Sequence, residues 1–185
     1  MIVLGIDPGS LRTGWGVVRS EGQRLHAAGL GVIRPGARLP LERRLAAIHA
    51  ELVGILQSYA PECVAIETVF HGVNTRALVT LGEARGVVMA VAGSREARLI
   101  ELAPAAIKKA VTGRGQATKE QVAHMVSVLL DPGSRQQLQQ ESARGAHHDA
   151  TDALAVAIAA LHRLALPAPP APAPRSRSAL RSAAG

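Results

Sequence analysis

One cysteine and three aromatic side chains (Trp15, Tyr59 and Phe70) among 185 residues exclude several architectures at once. A lone Cys63 rules out an internal disulfide and any multi-cysteine metal site. It lies in an apolar run and reads as a small buried hydrophobe. With aromatics at 2% and apolar residues at 48%, the core must be aliphatic, built from Ala, Val, Leu and Ile. The length suits one domain with a sizeable core. Long uninterrupted apolar runs are also scarce: charges break each stretch within fewer than about 18 residues, so no membrane span is expected. No signal peptide is recognised, and the chain is expected to be cytoplasmic. Negative charge is in deficit, since 21 Lys and Arg against 14 Asp and Glu give +7, with a pI near 10.9. Removing Arg175, Arg177 and Arg181 lowers the formal charge by three, from +7 to +4, so the folded part is itself basic. Such a balance favours a polyanionic partner, because phosphate contacts dominate nucleic-acid affinity.

The chain opens on an apolar run, Ile2 to Ile6, that ends in Asp7 and is turned by Pro8-Gly9. This pattern predicts a buried strand. A second strand is expected from Thr13 to Arg19, a hairpin turn at Glu21-Gly22, and a third strand from Leu25 to Ile33, antiparallel to its neighbours. From Leu41 the apolar period becomes helical (Leu41, Leu45, Ile48, Leu52, Ile55, Leu56) until Pro61. Cys63 to Glu67 is a second short apolar run ending in a carboxylate. Asn74 is a suitable N-cap for a helix to about Ala92. Gly82 and Gly86 within it each cost about 1 kcal/mol relative to Ala, which suggests close packing against another helix, for example from a second subunit. A fifth strand (Ala97 to Glu101) precedes a helix opened by Pro104 and carrying Ile107, Lys108 and Lys109. Gly113-Arg114-Gly115 is a basic turn, and Thr118 with Gln121 forms a capping box for a helix to Leu130. The polar segment from Ser134 to Ala146 reads as a loop or a short exposed helix, and a last helix runs from about His148 to Leu164. Residues 1–166 are expected to form the domain. The Pro/Ala/Arg-rich stretch 167–185 buries too little apolar surface to fold and is expected to be a disordered tail, either a weak DNA contact or a solubilising extension.

Four acids form a set. Read singly, Asp7 is a turn residue, and Asp149 and Asp152 are ordinary acids of a helix first turn. Taken together, Asp7 and Glu67 end apolar strands, while Asp149 and Asp152 lie one turn apart on a helix whose continuation is almost wholly apolar. If the strands are neighbours, the carboxylates converge, repel one another and raise their own pKa values unless a cation joins them. Oxygen ligands without cysteine favour Mg²⁺, with Mn²⁺ able to substitute. Two such ions about 3.5–4 Å apart hold a scissile phosphate and activate water.

The segments Gly5-Ile6-Asp7-Pro8-Gly9-Ser10 with Thr13-Gly14, Ala65-Ile66-Glu67-Thr68-Val69-Phe70, Leu81-Gly82-Glu83-Ala84-Arg85-Gly86, Gln121-Val122-Ala123-His124-Met125-Val126 and Asp149-Ala150-Thr151-Asp152-Ala153-Leu154-Ala155 occur in order. Over Met1 to Leu164 the chain resembles RuvC-type Holliday junction resolvases of the RNase H-like and retroviral integrase superfamily. The resemblance implies an α/β fold with a mixed five-stranded sheet flanked by helices. It implies a homodimer that nicks four-way junction DNA in paired symmetric cuts with Mg²⁺, beside a branch-migration helicase complex of RuvA/RuvB type. It makes Asp7, Glu67, Asp149 and Asp152 the catalytic metal ligands and places Lys108 and Lys119 near the scissile phosphate. Phe70 would stack on junction bases. Arg76 and Arg114 are further expected DNA contacts. Two features depart from the family pattern: the segment from Asp131 to His148 is long, and His147-His148 beside Asp149 is unusual. His148 is read as an exposed helix-start residue rather than a ligand.

Two other readings stand beside this one. Asp7-Pro8-Gly9-Ser10 with Thr13-Gly14 also resembles a phosphate loop of actin-like kinases or ATPases, although 185 residues leave no room for the second lobe which that fold requires. The other is an inactive junction-binding protein, disfavoured because all four acids are present.

Overall fold

The computed structural model describes residues 1–68, 75–95, 97–143 and 147–165. Three strands come first: β1 (Ile2–Asp7), β2 (Thr13–Glu21) and β3 (Arg24–Ile33). Helix α1 (Leu41–Tyr59), β4 (Cys63–Glu67), α2 (Thr75–Ser94) and β5 (Arg98–Leu102) follow. Four helices complete the chain: α3 (Pro104–Thr112), α4 (Lys119–Leu129), α5 (Pro132–Ala143) and α6 (His147–Ala165). The strands make one sheet in the order β3-β2-β1-β4-β5, which puts the opening strand at its centre. β1 pairs antiparallel with β2 and parallel with β4, and β4 pairs parallel with β5. The sheet is therefore mixed and five-stranded, with helices on both faces.

Strand alternation decides which face each side chain serves. Val3, Cys63 and Ala65 join the core under α3, α4, α5 and α6, whereas Leu4, Ile6, Val64 and Ile66 join the core under α1 and α2. Both faces of β1 and β4 are covered, which is why these strands read as unbroken apolar runs rather than alternating ones. Continuing the alternation by one residue puts Asp7 and Glu67 on the α6 side.

Helix α6 lies directly across the sheet. A Cβ at Gly5 would fall 2.1 Å from the Ala153 carbonyl oxygen, and one at Gly14 would fall 2.0 Å from that of Asp149. Only glycine admits a backbone this close. The helix answers with small residues: Ala150, Ala153, Ala155, Ala157, Ala159 and Ala160 are all buried. Within the run 150–161 only Asp152 keeps partial exposure. On the opposite face Trp15 and Tyr59 pack at 5.9 Å between ring centroids, which gives two aromatics without a readable function a place in the core.

The structure sharpens one expectation. The polar segment after Asp131 is a helix of 12 residues, started by Pro132 and capped by Asp131, whose Oδ1 accepts from the Ser134 backbone N–H at 3.1 Å. Its exposed face is polar, which hid the helical period, but Ser134 and Leu138 are buried. The β1–β2 turn closes on itself, since a Cβ at Gly9 would meet the Arg12 carbonyl oxygen at 2.4 Å. Helix α2, despite Arg76, Glu83 and Arg85, is long and apolar enough by length and composition to cross a membrane. Its proposed N-cap, Asn74, lies outside the described residues, as do Phe70 and the stretch 166–185.

Candidate active site

The register Ile6↔Ile66 makes Asp7 and Glu67 the next rung of two parallel neighbours, at their carboxyl ends. Asp7 also pairs with Gly14 of β2, and Gly14 carries the Asp149 backbone, so the start of α6 sits beside the end of β1. Asp152 follows one helical turn later. Asp7, Glu67 and Asp152 line one cavity of about 180 Å³, with Pro104, Ile107 and Lys108 of α3, Lys119 and Val122 of α4, and Ala155 of α6. Asp149 is not on this wall. Five separate elements of the sequence (β1, β4, α3, α4 and α6) thus deliver three acids and two lysines to one place.

Electrostatics mark the cluster as crowded. Burial, followed by the charges of Asp152, Glu67 and Asp149, pushes the Asp7 carboxyl from 3.8 up to about 7, against a lowering by Lys119. The Glu67 carboxyl is raised by burial and then by Asp152, with Lys119 and Lys108 opposing. Lys119 Nζ lies 3.4 Å from Asp152 Oδ2, and this charge leads the causes that raise the Lys119 ammonium. Lys119 follows Thr118, which closes the expected capping box with Gln121 and fixes the start of α4. Lys108 is half-buried toward the cavity while its neighbour Lys109 is exposed, so the two adjacent lysines divide as a helix requires.

A hard divalent cation would relieve this crowding, and the donor set, carboxylate oxygens only, suits it. Among the described residues, however, no three His, Cys, Asp or Glu side chains already stand together in ligand geometry. The Asp149 side chain is engaged elsewhere. Arg12 Nε and Nη2 both approach its Oδ2 at 2.6 Å. His148 is exposed, as expected for a helix-start residue.

Arg76 is exposed and lines an open groove of about 560 Å³ beside the β1–β2 turn, together with Ser10, Arg12, Arg44 and Thr80. Arg44 donates from Nη1 to Ser10 Oγ at 3.0 Å. No acid lies on the walls of this groove. Sequence reasoning missed Arg12 and Arg44. For Arg44 a signal existed: it lies in the first turn of α1, where a cation opposes the helix dipole, as Lys119 does in α4. Arg114 lines a separate groove with Glu120, Gln121 and His124, and the structure does not bring it to the acids.

The family profile described as crossover junction endodeoxyribonuclease RuvC matches residues 3–160. A crossover junction endodeoxyribonuclease RuvC of Rhodopseudomonas palustris strain BisA53 is 43% identical over 164 residues, covering 88% of each chain. The enzyme of the same name from Pelodictyon phaeoclathratiforme is 48% identical over 130 residues, covering 70% of this chain and 68% of the relative. Among solved structures, T. thermophilus RuvC in complex with a Holliday junction substrate superposes with a TM-score of 0.75 at 28% identity, covering 89% of this chain and 94% of the other.

Proposed function

The chain belongs to the RuvC family of crossover junction endodeoxyribonucleases, enzymes of Holliday junction resolution, and from that premise we propose how its own residues carry the reaction. The single observation that carries the reading is the cavity in which Asp7, Glu67 and Asp152 meet Lys108 and Lys119. The scissile phosphodiester enters there. Asp7, Glu67, Asp149 and Asp152 would hold the metal on which the family depends, Mg²⁺ with Mn²⁺ as a substitute, two ions to a site. When bound, the ions supply an activated water and positive charge against the phosphate oxygens.

The protein's side chains supply the remainder. Asp7, at the centre of the sheet and the most crowded of the acids, would be the principal ligand. Its carboxyl must lose its proton before it can serve. Lys108 and Lys119 steady the phosphate oxygens, and the Lys119–Asp152 pair aims the ammonium across the cavity. Arg12, Arg44 and Arg76 take backbone phosphates in the adjoining groove, and Arg114 meets a more distant arm. Phe70, on the connection that follows Glu67, stacks on a base at the branch point.

Paired cuts need two sites, and α2 supports a homodimer. Val79 is 56% exposed, and a Cβ at Gly82 or Gly86 would meet nothing within 4 Å among the described residues. A helix this apolar and this bare is suited to a second copy of itself better than to water. We place the enzyme in the cytoplasm with the DNA and with a branch-migration helicase complex as its partner.

The test uses a labelled synthetic four-way junction and a matched linear duplex, each with Mg²⁺ or with EDTA. Paired nicks in the junction alone, and only with Mg²⁺, are expected. Equal cutting of the duplex, or cutting in EDTA, would sink the reading. The actin-like reading predicts ATP turnover in the same tube, and the inactive reading predicts bound but uncut junction.

A further inference from the structure

Resting on that metal-site reading, we infer that Arg12 is a positioning residue that holds the Asp149 side chain outside the acid cavity and competes with the cation for it. Asp149 and Asp152 are one turn apart on the same rigid helix, yet Asp152 lines the cavity and Asp149 does not. The Asp149 main chain is seated on Gly14, the β2 partner of Asp7, so the residue stands beside the end of β1. Its carboxylate is held there from the far side of the cavity: Oδ2 receives two donors of one guanidinium, Nε and Nη2, each at 2.6 Å.

Arg12 is itself well anchored. Thr13, fully buried, donates from Oγ1 to the Gly9 carbonyl at 2.7 Å, and the Arg12 carbonyl is packed against Gly9. The β1–β2 turn therefore fixes both Asp7 at one end and Arg12 at the other. A divalent cation and a guanidinium on one carboxylate repel each other and share its single negative charge, so each weakens the hold of the other. The Arg12 side chain is 48% exposed and borders the groove walled by Arg44 and Arg76. A DNA phosphate in that groove offers the released guanidinium another anionic partner, with two oxygens in place of one. Metal loading and DNA binding are coupled through this exchange, each favouring the other.

The experiment is a Mn²⁺ titration of the full chain without DNA, followed by calorimetry or by electron paramagnetic resonance. R12Q is expected to bind Mn²⁺ about fivefold more tightly than wild type, the size expected for loss of one half-exposed ion pair. R12K, with charge but no fork, should fall between them. Unchanged or weaker binding by R12Q overturns the inference, the weaker result marking Arg12 as an orienting partner instead. Should the variants fail to fold, the wild type still decides. Its Arg12 ¹⁵Nε resonance must shift on Mg²⁺ titration, and an unmoved resonance overturns the inference. Mn²⁺ bound equally by wild type and R12Q defeats the role of Arg12 alone, whereas no Mn²⁺ binding by any form defeats the metal site with it.

Discussion

Asp7 owes its character to residues far from it in sequence. Alone it is a turn residue before Pro-Gly; under α6 and beside Glu67 its carboxyl is pushed up to about 7. Between 3.8 and that value the folded chain keeps a proton that the unfolded chain has released, so without metal its stability falls as pH rises through the window. Asp7→Asn removes this burden. In EDTA the variant should be more stable than wild type at about pH 8, by at most about 4 kcal/mol, and the advantage should fade toward about pH 4. Thermal unfolding at several pH values measures it, and a variant no more stable than wild type at the upper pH contradicts the crowding of Asp7. That Asp7 and Glu67 would meet was legible because each ends an apolar run at the same strand parity; that Asp152 would join them and Asp149 would not line the cavity was not, because the helical spacing treats the two alike. Nor was Arg12 legible: its partner lies 137 residues away, and an arginine in a surface turn looks merely solvated.

Among the elements, α6 shows why the site depends on glycines with no chemistry of their own. Gly14 is the seat of Asp149, and a methyl group there meets a carbonyl oxygen rather than a movable side chain. Gly14→Ala should lift the start of α6, destabilise the protein by about 1–3 kcal/mol or more, and reduce junction cleavage more than junction binding. Unchanged cleavage would mean that α6 tolerates the shift and that the acids are not placed by this contact. The sequence displayed these glycines, but not what lay above them, because close approach is a tertiary fact. Helix α2 is the opposite case, with glycines facing open space in the protomer. Val79→Glu should therefore convert the protein to monomers in sedimentation, and a monomeric wild type or an unchanged dimer would remove α2 from the interface. Helix α5 was read only as a loop or short helix, because its single buried edge, Ser134 and Leu138, is too narrow to print a helical period.

The whole molecule is a basic protein built around an acidic hollow. Its formal charge of +7 draws it to DNA, while the acids at the centre of the sheet would repel a phosphate without cations. The antiparallel set β1 to β3 was legible because its turns are short, and the fold class because the motifs resemble a known family; that β4 lies beside β1 was only a condition until the sheet order supplied it. The arginine-lined groove was not legible, because α1, α2 and the β1–β2 turn meet there only after folding. The central claim is that the acid cavity performs cleavage while the basic surface performs binding, and Asp7→Asn separates the two. In a titration of labelled four-way junction followed by addition of Mg²⁺, the variant should bind the junction as tightly as wild type and leave both strands uncut. Nicking at the wild-type rate would contradict the account.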